Sequence, residues 1–291
     1  MIGTAVDGRY GPFGSFFESV GPIPWPAVAG FLIVNPRSGS DSPSPDELAE
    51  EARRRGIQVH LFRQGEDLQA VARQPDADAL GMAGGDGSLA PVAAVAIERG
   101  LPFVCIPFGT RNHFALDLGL DRDDPLAALE AFGGTERTID VGRVNGRVFL
   151  NNVSLGMYAQ LVHEREEHRR RRELLARGRA VVIALRHLST RGLSVDGEPM
   201  RVRVLLVSNN AYKLELLSIG ERERLDEGLL HLYAGSGILR ASWTERSGER
   251  FTVDTRTRAL RAAIDGEPAR LKTPLEFEIA PGALRVLVPP A

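Results

Sequence analysis

An α/β domain followed by an all-β domain, with an active-site cleft between them, is the fold that the sequence predicts. Strand and helix patterns alternate from about residue 29 to residue 139, which is typical of a Rossmann-like parallel sheet with right-handed crossovers. Strand patterns then follow one another almost without helices, which favours an antiparallel β-sandwich. The chain has 291 residues, enough for about two domains of roughly 150 residues each.

Local signals in the first half of the chain mark where helices begin and end. Ser44-Pro45-Asp46-Glu47 combines an N-cap, a proline suited to the first turn and a possible capping box. Gly56 then ends the helix that starts there. Apolar runs predict strands over 31–35, 58–62, 79–83 and 102–106, and the predicted helices between them cover 44–55, 67–73 and 88–99.

The second half is predicted to be rich in strands. They cover 148–154, 201–208, 229–234, 251–256, 259–264, 275–279 and 284–288, with a basic helix over 157–188. We therefore divide the chain into a leader or loose arm (1–28), an α/β domain (29–139) and a β-rich domain (140–291). An alternative for the last predicted strand is that it packs against the α/β domain.

Composition excludes several classes of protein. The net charge of −2 implies no general attraction to nucleic acid. A single cysteine fits a reducing compartment, and the longest apolar run, residues 27–34, is far shorter than the ~18 residues of a membrane-spanning helix. We expect a cytoplasmic protein. The two lysines, Lys213 and Lys272, lie outside any Gly-Lys-Ser/Thr sequence, which excludes a P-loop kinase.

The strongest local feature is the sequence Gly84-Gly85-Asp86-Gly87-Ser88, which follows a strand and opens a helix. Its glycines permit close approach of a ligand, and the free N–H groups of a helix start suit phosphate. An aspartate inside the loop would repel phosphate, so Asp86 suggests a divalent cation between them. The plainer alternative is a tight glycine turn.

Two further loops share this layout. Gly109, Thr110 and Asn112 follow the fourth predicted strand, and Asn35, Ser38 and Gly39 follow the first. Ligands of parallel α/β sheets bind at the carboxyl ends of the strands. Because all three loops lie at such ends, a nucleotide site is the leading hypothesis.

Together, Asn-Pro-x-Ser-Gly, Gly-Gly-Asp-Gly-Ser and Pro-x-Gly-Thr-x-Asn-x-Phe-Ala resemble the diacylglycerol kinase catalytic domain family, which includes bacterial lipid kinases and sphingosine kinases. The resemblance implies ATP, Mg²⁺ and phosphorylation of a lipid hydroxyl group. It implies that the nucleotide contacts Asn35, Ser38, Gly39, Gly84, Gly85, Asp86, Gly87, Ser88, Gly109, Thr110 and Asn112. It also places metal-linked acids at Asp86, Asp140, Asp226 and Glu227, and a general base in the C-terminal Asp-Gly-Glu. Departures from the family pattern are His113, where many relatives have aspartate, and the altered acidic stretch 225–229.

The sequence Asp-Gly-Glu-Pro occurs twice, at 196–199 and 265–268. Asp-Gly between apolar runs is also a strong hairpin signal, so at least one copy should be an ordinary β-turn. Only the second copy stands in the family's position. We therefore assign catalytic roles to Glu267, as general base, and to Asp86 and Asp265, rather than to Glu198.

The basic run Arg169–Arg172 has two interpretations: a solvated helix face, or a patch that contacts anionic lipid at the inner membrane face. The substrate would be diacylglycerol or a related lipid met at a membrane surface, with no nucleic-acid partner. A non-catalytic lipid- or nucleotide-binding relative and an NAD kinase-like enzyme remain as alternatives. The sequence predicts neither the lipid nor the oligomeric state.

Overall fold

The computed structural model describes residues 29–39, 43–156, 191–214, 219–235 and 243–290. The predicted leader (1–28) lies outside these ranges, as do the basic helix and its Arg169–Arg172 patch. None of the helices in the described ranges has the length and hydropathy that are needed to cross a bilayer.

The first half of the chain forms a parallel sheet flanked by helices. Its strands, in the spatial order β2-β1-β3-β4, are β1 (Gly30–Val34), β2 (Gln58–Leu61), β3 (Ala79–Gly84) and β4 (Phe103–Pro107). The helices are α1 (Pro45–Arg54), α2 (Leu68–Arg73), α3 (Asp86–Arg99) and α4 (His113–Asp117), followed by a 3-10 helix (Ala127–Gly133). The predicted alternation of strand and helix is confirmed.

Helix α1 shows why the local signals were reliable. The Ser44 hydroxyl accepts from the Glu47 N–H at 3.2 Å, and the Glu47 carboxylate accepts from the Ser44 N–H at 2.7 Å. This reciprocal capping box satisfies two N–H groups that the helix itself cannot pair. Gly56 follows the helix with φ of +79°, a conformation that glycine adopts without a steric penalty.

The second half contributes fourteen strands within the described ranges. They are β5 (Thr135–Val144), β6 (Arg147–Phe149), β7 (Asn152–Gly156), β8 (Arg191–Val195), β9 (Glu198–Val202), β10 (Val204–Asn209), β11 (Tyr212–Leu214), β12 (Ile219–Arg222), β13 (Leu230–Gly235), β14 (Trp243–Gly248), β15 (Arg250–Asp254), β16 (Ala259–Ile264), β17 (Glu267–Lys272) and β18 (Leu275–Val288). Strands β14-β13-β10-β7-β16-β17 form a separate antiparallel sheet. This sheet packs against β15, β8 and β9 through a core that includes Leu155, Leu205 and Val253. The predicted fold class, α/β followed by a β-sandwich, is confirmed.

Strand β18 joins the two halves. It pairs in parallel with β4, where Val286 lies opposite Phe103, and antiparallel with β5 and β15. The two strands predicted over 275–279 and 284–288 are therefore one strand with an irregularity between Ala280 and Leu284. Because the last strand belongs to the same ten-stranded sheet as β1–β4, the two halves share backbone hydrogen bonds.

The strand predicted over 148–154 is broken into β6 and β7, and the one over 201–208 into β9 and β10. In both places the chain leaves the ten-stranded sheet and enters the other sheet. The first break lies at Leu150–Asn151, and the second at Arg203. An apolar run does not reveal such a crossing, because residues on both sides of the break are buried.

Candidate active site

The Gly84–Ser88 loop ends strand β3 and starts helix α3, two residues earlier than predicted. Ser88 turns inward, and its hydroxyl donates to the Gly85 carbonyl at 2.8 Å. The Asp86 carboxylate accepts from the backbone N–H groups of His113 and Phe114 at 3.2 and 3.0 Å. Asp86 therefore caps helix α4 and fastens the first glycine loop to the second.

The second loop contacts the first through backbone atoms of two glycines. A Cβ atom on Gly109 would lie 2.6 Å from the Gly85 Cα atom, so only glycine permits this approach. Asn112 adopts φ of +50° at the start of α4, and its amide donates to the Gly109 carbonyl at 2.9 Å. The Asn112 Oδ1 atom is buried and has no hydrogen-bond partner among the described residues. Such an acceptor suits a ligand or a bound water.

The third loop, residues 35–39, packs against the second. The Asn35 side chain accepts from the Arg37 N–H at 3.1 Å, and the Asn35 N–H donates to the Ala83 carbonyl at 2.9 Å. A Cβ atom on Gly39 would lie 2.5 Å from the Phe108 Cε1 atom. The three loops thus meet at one edge of the sheet, as parallel strands require.

Glu267 lies across the cleft from the first loop. It is the first residue of β17, and its side chain lies so close to Gly87 that a Cβ atom there would be 2.6 Å from the Glu267 Cδ atom. The second half of the chain therefore places a carboxylate directly against the start of α3. Glu198, the matching glutamate of the other Asp-Gly-Glu-Pro sequence, instead accepts from Arg246 at 2.6 Å at an exposed position.

Asp265 holds the turn that precedes Glu267. Its carboxylate accepts from the backbone N–H groups of Leu150, Asn151 and Asn152 at 2.9, 2.8 and 3.1 Å. Burial, together with a smaller effect from the charge of Asp86, raises the pKa of Asp265 to about 6, even though the three N–H donors favour its ionised form. Asp265 therefore acts on the site by fixing the hairpin that carries Glu267.

Three residues of this region escaped the sequence analysis: Asp117, Asn151 and Arg222. The Asn151 amide donates to Asp86 at 3.2 Å, and its carbonyl oxygen accepts from Arg222 at 2.7 Å. Arg222 also forms a fully buried ion pair with Asp117 at 2.6 Å. Two asparagines in an apolar run were the available signal for Asn151, whereas nothing in the sequence marks Arg222.

The other acids predicted to bind metal lie elsewhere. Asp140 is buried, and its carboxylate accepts from the N–H groups of Gly228 and Gly282 at 2.7 and 2.8 Å. Glu227 accepts from the Ala211 N–H at 3.1 Å, and Asp226 pairs with Arg224 at 3.0 Å at the surface. Asp140 thus lies beside the 225–228 stretch, but the described residues contain no group of three or more potential ligands placed to hold a metal ion.

A groove of about 350 Å³ runs along helix α3 from Gly87. Ala90, Pro91 and Ala94 form its apolar floor, and Arg143 and Asp265 lie on its walls.

Cys105 is buried in strand β4, and burial raises the pKa of its thiol well above the usual value. Burial therefore favours the protonated thiol over the thiolate.

The chain is similar to several known proteins. Residues 29–144 match the family described as "Diacylglycerol kinase catalytic domain". A probable lipid kinase YegS-like from Klebsiella pneumoniae is 26% identical over 290 residues, covering 90% of this chain and 96% of that protein. A probable lipid kinase YegS-like from Pseudomonas aeruginosa is 30% identical over 240 residues, covering 71% of this chain and 75% of that protein. A crystal structure of a diacylglycerol kinase from Bacillus anthracis matches with a TM-score of 0.67 at 17% identity, covering 90% of this chain and 98% of that one.

Proposed function

The chain belongs to the diacylglycerol kinase catalytic domain family, and from this premise we propose that it transfers the γ-phosphoryl group of ATP to a hydroxyl group of a lipid. The observation that carries the proposal is the contact between Gly87 and Glu267. It joins a loop suited to phosphate with a carboxylate suited to accept a proton. Diacylglycerol or a related lipid is the proposed acceptor.

The donor would lie on the three glycine-bearing loops. The N–H groups at the start of α3 point out of the helix, and together with the helix dipole they favour a phosphate group. Gly85 and Gly109 leave the backbone open to close approach. The apolar floor of the α3 groove offers space for the nucleoside next to those phosphates.

Glu267 would remove the proton of the acceptor. As the lipid oxygen forms its bond to the γ-phosphorus, the bond from that phosphorus to the bridging oxygen breaks, and ADP leaves. The hydroxyl proton passes to the Glu267 carboxylate. Phosphoryl transfer depends chiefly on positioning and charge stabilisation, so the turn held by Asp265 would contribute by positioning the base.

The described residues contain no group of three or more potential ligands placed to hold a metal ion. Mg²⁺ commonly binds through substrate phosphates and only one or two carboxylates. We therefore propose that the ion enters with the triphosphate. Metal roles for Asp86, Asp140, Asp226 and Glu227 stay predictions.

We propose that the protein is cytoplasmic and binds its lipid substrate at a membrane surface. Arg169–Arg172, the segment expected to contact anionic lipid, lies outside the described residues. Vesicle binding by the full chain and by a variant with these four arginines replaced by glutamine tests this part of the proposal.

A labelled-ATP assay against a lipid panel tests the proposed function. The panel holds diacylglycerol, monoacylglycerol, a sphingoid base and ceramide, each with Mg²⁺ and with a chelator. We expect label in one lipid class, only with Mg²⁺. ATP binding without lipid labelling would favour the non-catalytic alternative, and phosphorylation of NAD in a parallel reaction would favour the NAD kinase-like one.

A further inference from the structure

The most deeply buried ion pair among the described residues joins the two halves of the chain. Arg222, on β12, has a side chain that is 0% exposed, and Asp117, the last residue of α4, is 2% exposed. Moving two charges out of water is costly, and replacing such a pair with apolar residues is often neutral or stabilising. Stability alone therefore does not account for this pair.

Arg222 also bonds to the crossing between the two sheets. Its Nη1 atom donates to the Leu150 carbonyl at 2.7 Å and to the Asn209 carbonyl at 2.9 Å. Its Nη2 atom donates to the Asn151 Oδ1 atom at 2.7 Å. We call residues 150–152 the crossing turn. One guanidinium thus contacts both the backbone and the side chain of that turn.

The contact fixes the orientation of the Asn151 amide. A guanidinium can only donate hydrogen bonds, so the amide must present its oxygen to Arg222. Its nitrogen then faces the Asp86 carboxylate, to which it donates at 3.2 Å. The reverse orientation would set two donors against each other at Arg222 and two acceptors against each other at Asp86.

The crossing turn holds the second acid as well. Its three backbone N–H groups bind the Asp265 carboxylate, and Glu267 follows two residues later. The same three residues therefore contact Asp86 through a side chain and the Glu267 hairpin through the backbone. Any displacement of this turn changes the separation between the glycine loop and the proposed base.

We propose that Arg222 is a positioning residue which, acting through the crossing turn, sets the placement of Glu267 relative to the Asp86 loop. Its side chain is fully buried, so the proposed role is indirect, and the inference about turnover rests on the proposed function. Asp117 shares the role because it anchors the Arg222 guanidinium to helix α4, whose other end is capped by Asp86.

The first test replaces the whole ion pair with Arg222→Met and Asp117→Leu together, which leaves no unpaired buried charge. We expect one nucleotide site per chain, a KM for ATP within about twofold of the wild type, and kcat lower by about 10²-fold, the loss typical of a misplaced reacting group. A purely structural role would lower the fraction of chains that bind nucleotide but not the turnover per site. Wild-type turnover per site in this variant would overturn the proposal.

The second test needs no turnover, so it stays informative if no lipid is phosphorylated. Asp86→Asn and Arg222→Met remove groups that share Asn151 but do not bond to each other. Residues that share a partner give non-additive effects. We expect non-additive shifts of the denaturation midpoint for these two changes in the wild-type background, and additive shifts in an Asn151→Ala background. Additivity in both backgrounds would show that Arg222 does not act through the crossing turn.

Discussion

The Gly87 backbone lies against the Glu267 side chain, close enough that a Cβ atom on Gly87 would be 2.5 Å from the Glu267 Oε1 atom. The two residues are 180 positions apart in the sequence. Their contact brings the phosphate-suited start of helix α3 to the carboxylate proposed as general base. A side chain at Gly87 would therefore occupy the present place of the Glu267 side chain.

Replacing Gly87 with alanine should displace Glu267. The overlapping atoms belong to a flexible side chain at an exposed position, so the protein should still fold, but the carboxylate should move away from its present place. We expect kcat for lipid phosphorylation to fall by about 10²-fold, with little change in Tm. Gly192→Ala is the control, because a Cβ atom there meets nothing within 4 Å. Unchanged turnover in Gly87→Ala would argue against a role for this contact.

Glu267→Gln should lower turnover while leaving the fold intact. The amide keeps the shape of the side chain but cannot accept the hydroxyl proton, and a general base contributes about 10²–10⁴-fold. Glu198→Gln is the matched control, since it lies in the second Asp-Gly-Glu-Pro sequence and loses only an exposed ion pair with Arg246. Steady-state kinetics on both variants decide between the two glutamates. Similar losses in both would contradict the assignment of Glu267.

Gly109→Ala should weaken nucleotide binding. Its Cβ atom would lie 2.6 Å from the Gly85 Cα atom, and a backbone cannot rotate out of the way as a side chain can. The first and second loops would therefore be forced apart. We expect the Kd for ATP to rise by about tenfold or more, measured by calorimetry on the folded variant. An unchanged Kd would mean that these two loops do not bind the nucleotide together.

Asp265 should make stability depend on pH. Its pKa is about 6 in the folded protein, compared with about 3.9 for an ordinary aspartate. Between these values the folded state holds a proton that the unfolded chain has released, so the free energy of unfolding falls as pH rises through that window. Above about pH 6 Asp265 is ionised in both states, so it no longer changes the free energy of unfolding as pH rises.

Urea unfolding between pH 3.5 and pH 8 checks this sign. The stability difference between wild type and Asp265→Asn should change from about pH 4 to about pH 6 and then become constant. Asp196→Asn, at the corresponding position of the exposed turn, is the control. If the wild-type and Asp265→Asn stabilities run parallel over the whole range, the carboxyl does not titrate in this way.

The parts of the fold that were predicted depend on neighbours in sequence. The Ser44 capping box and the glycine loops are encoded within five residues, so their positions follow from local chemistry. The turns at Asp196 and Asp265 were also foreseeable, and both adopt positive φ, at 52° and 48°. Because the two turns are locally alike, only tertiary placement distinguishes Glu267 from Glu198.

The parts that were missed depend on distant partners. Arg222 pairs with Asp117 across 105 positions and with Asn151 across 71, and no local pattern records such a pairing. The break in the strand predicted over 148–154 has the same origin. Backbone N–H groups at that point bind Asp265, more than 110 positions away, instead of continuing a strand.

A crystal structure with a non-hydrolysable ATP analogue and Mg²⁺ tests the central claim most directly. The triphosphate should lie on the N–H groups at the start of α3 and beside Gly109, with its terminal phosphate next to the Glu267 carboxylate. An analogue bound away from these loops, or one whose terminal phosphate points away from Glu267, would contradict the assignment of this site to phosphoryl transfer.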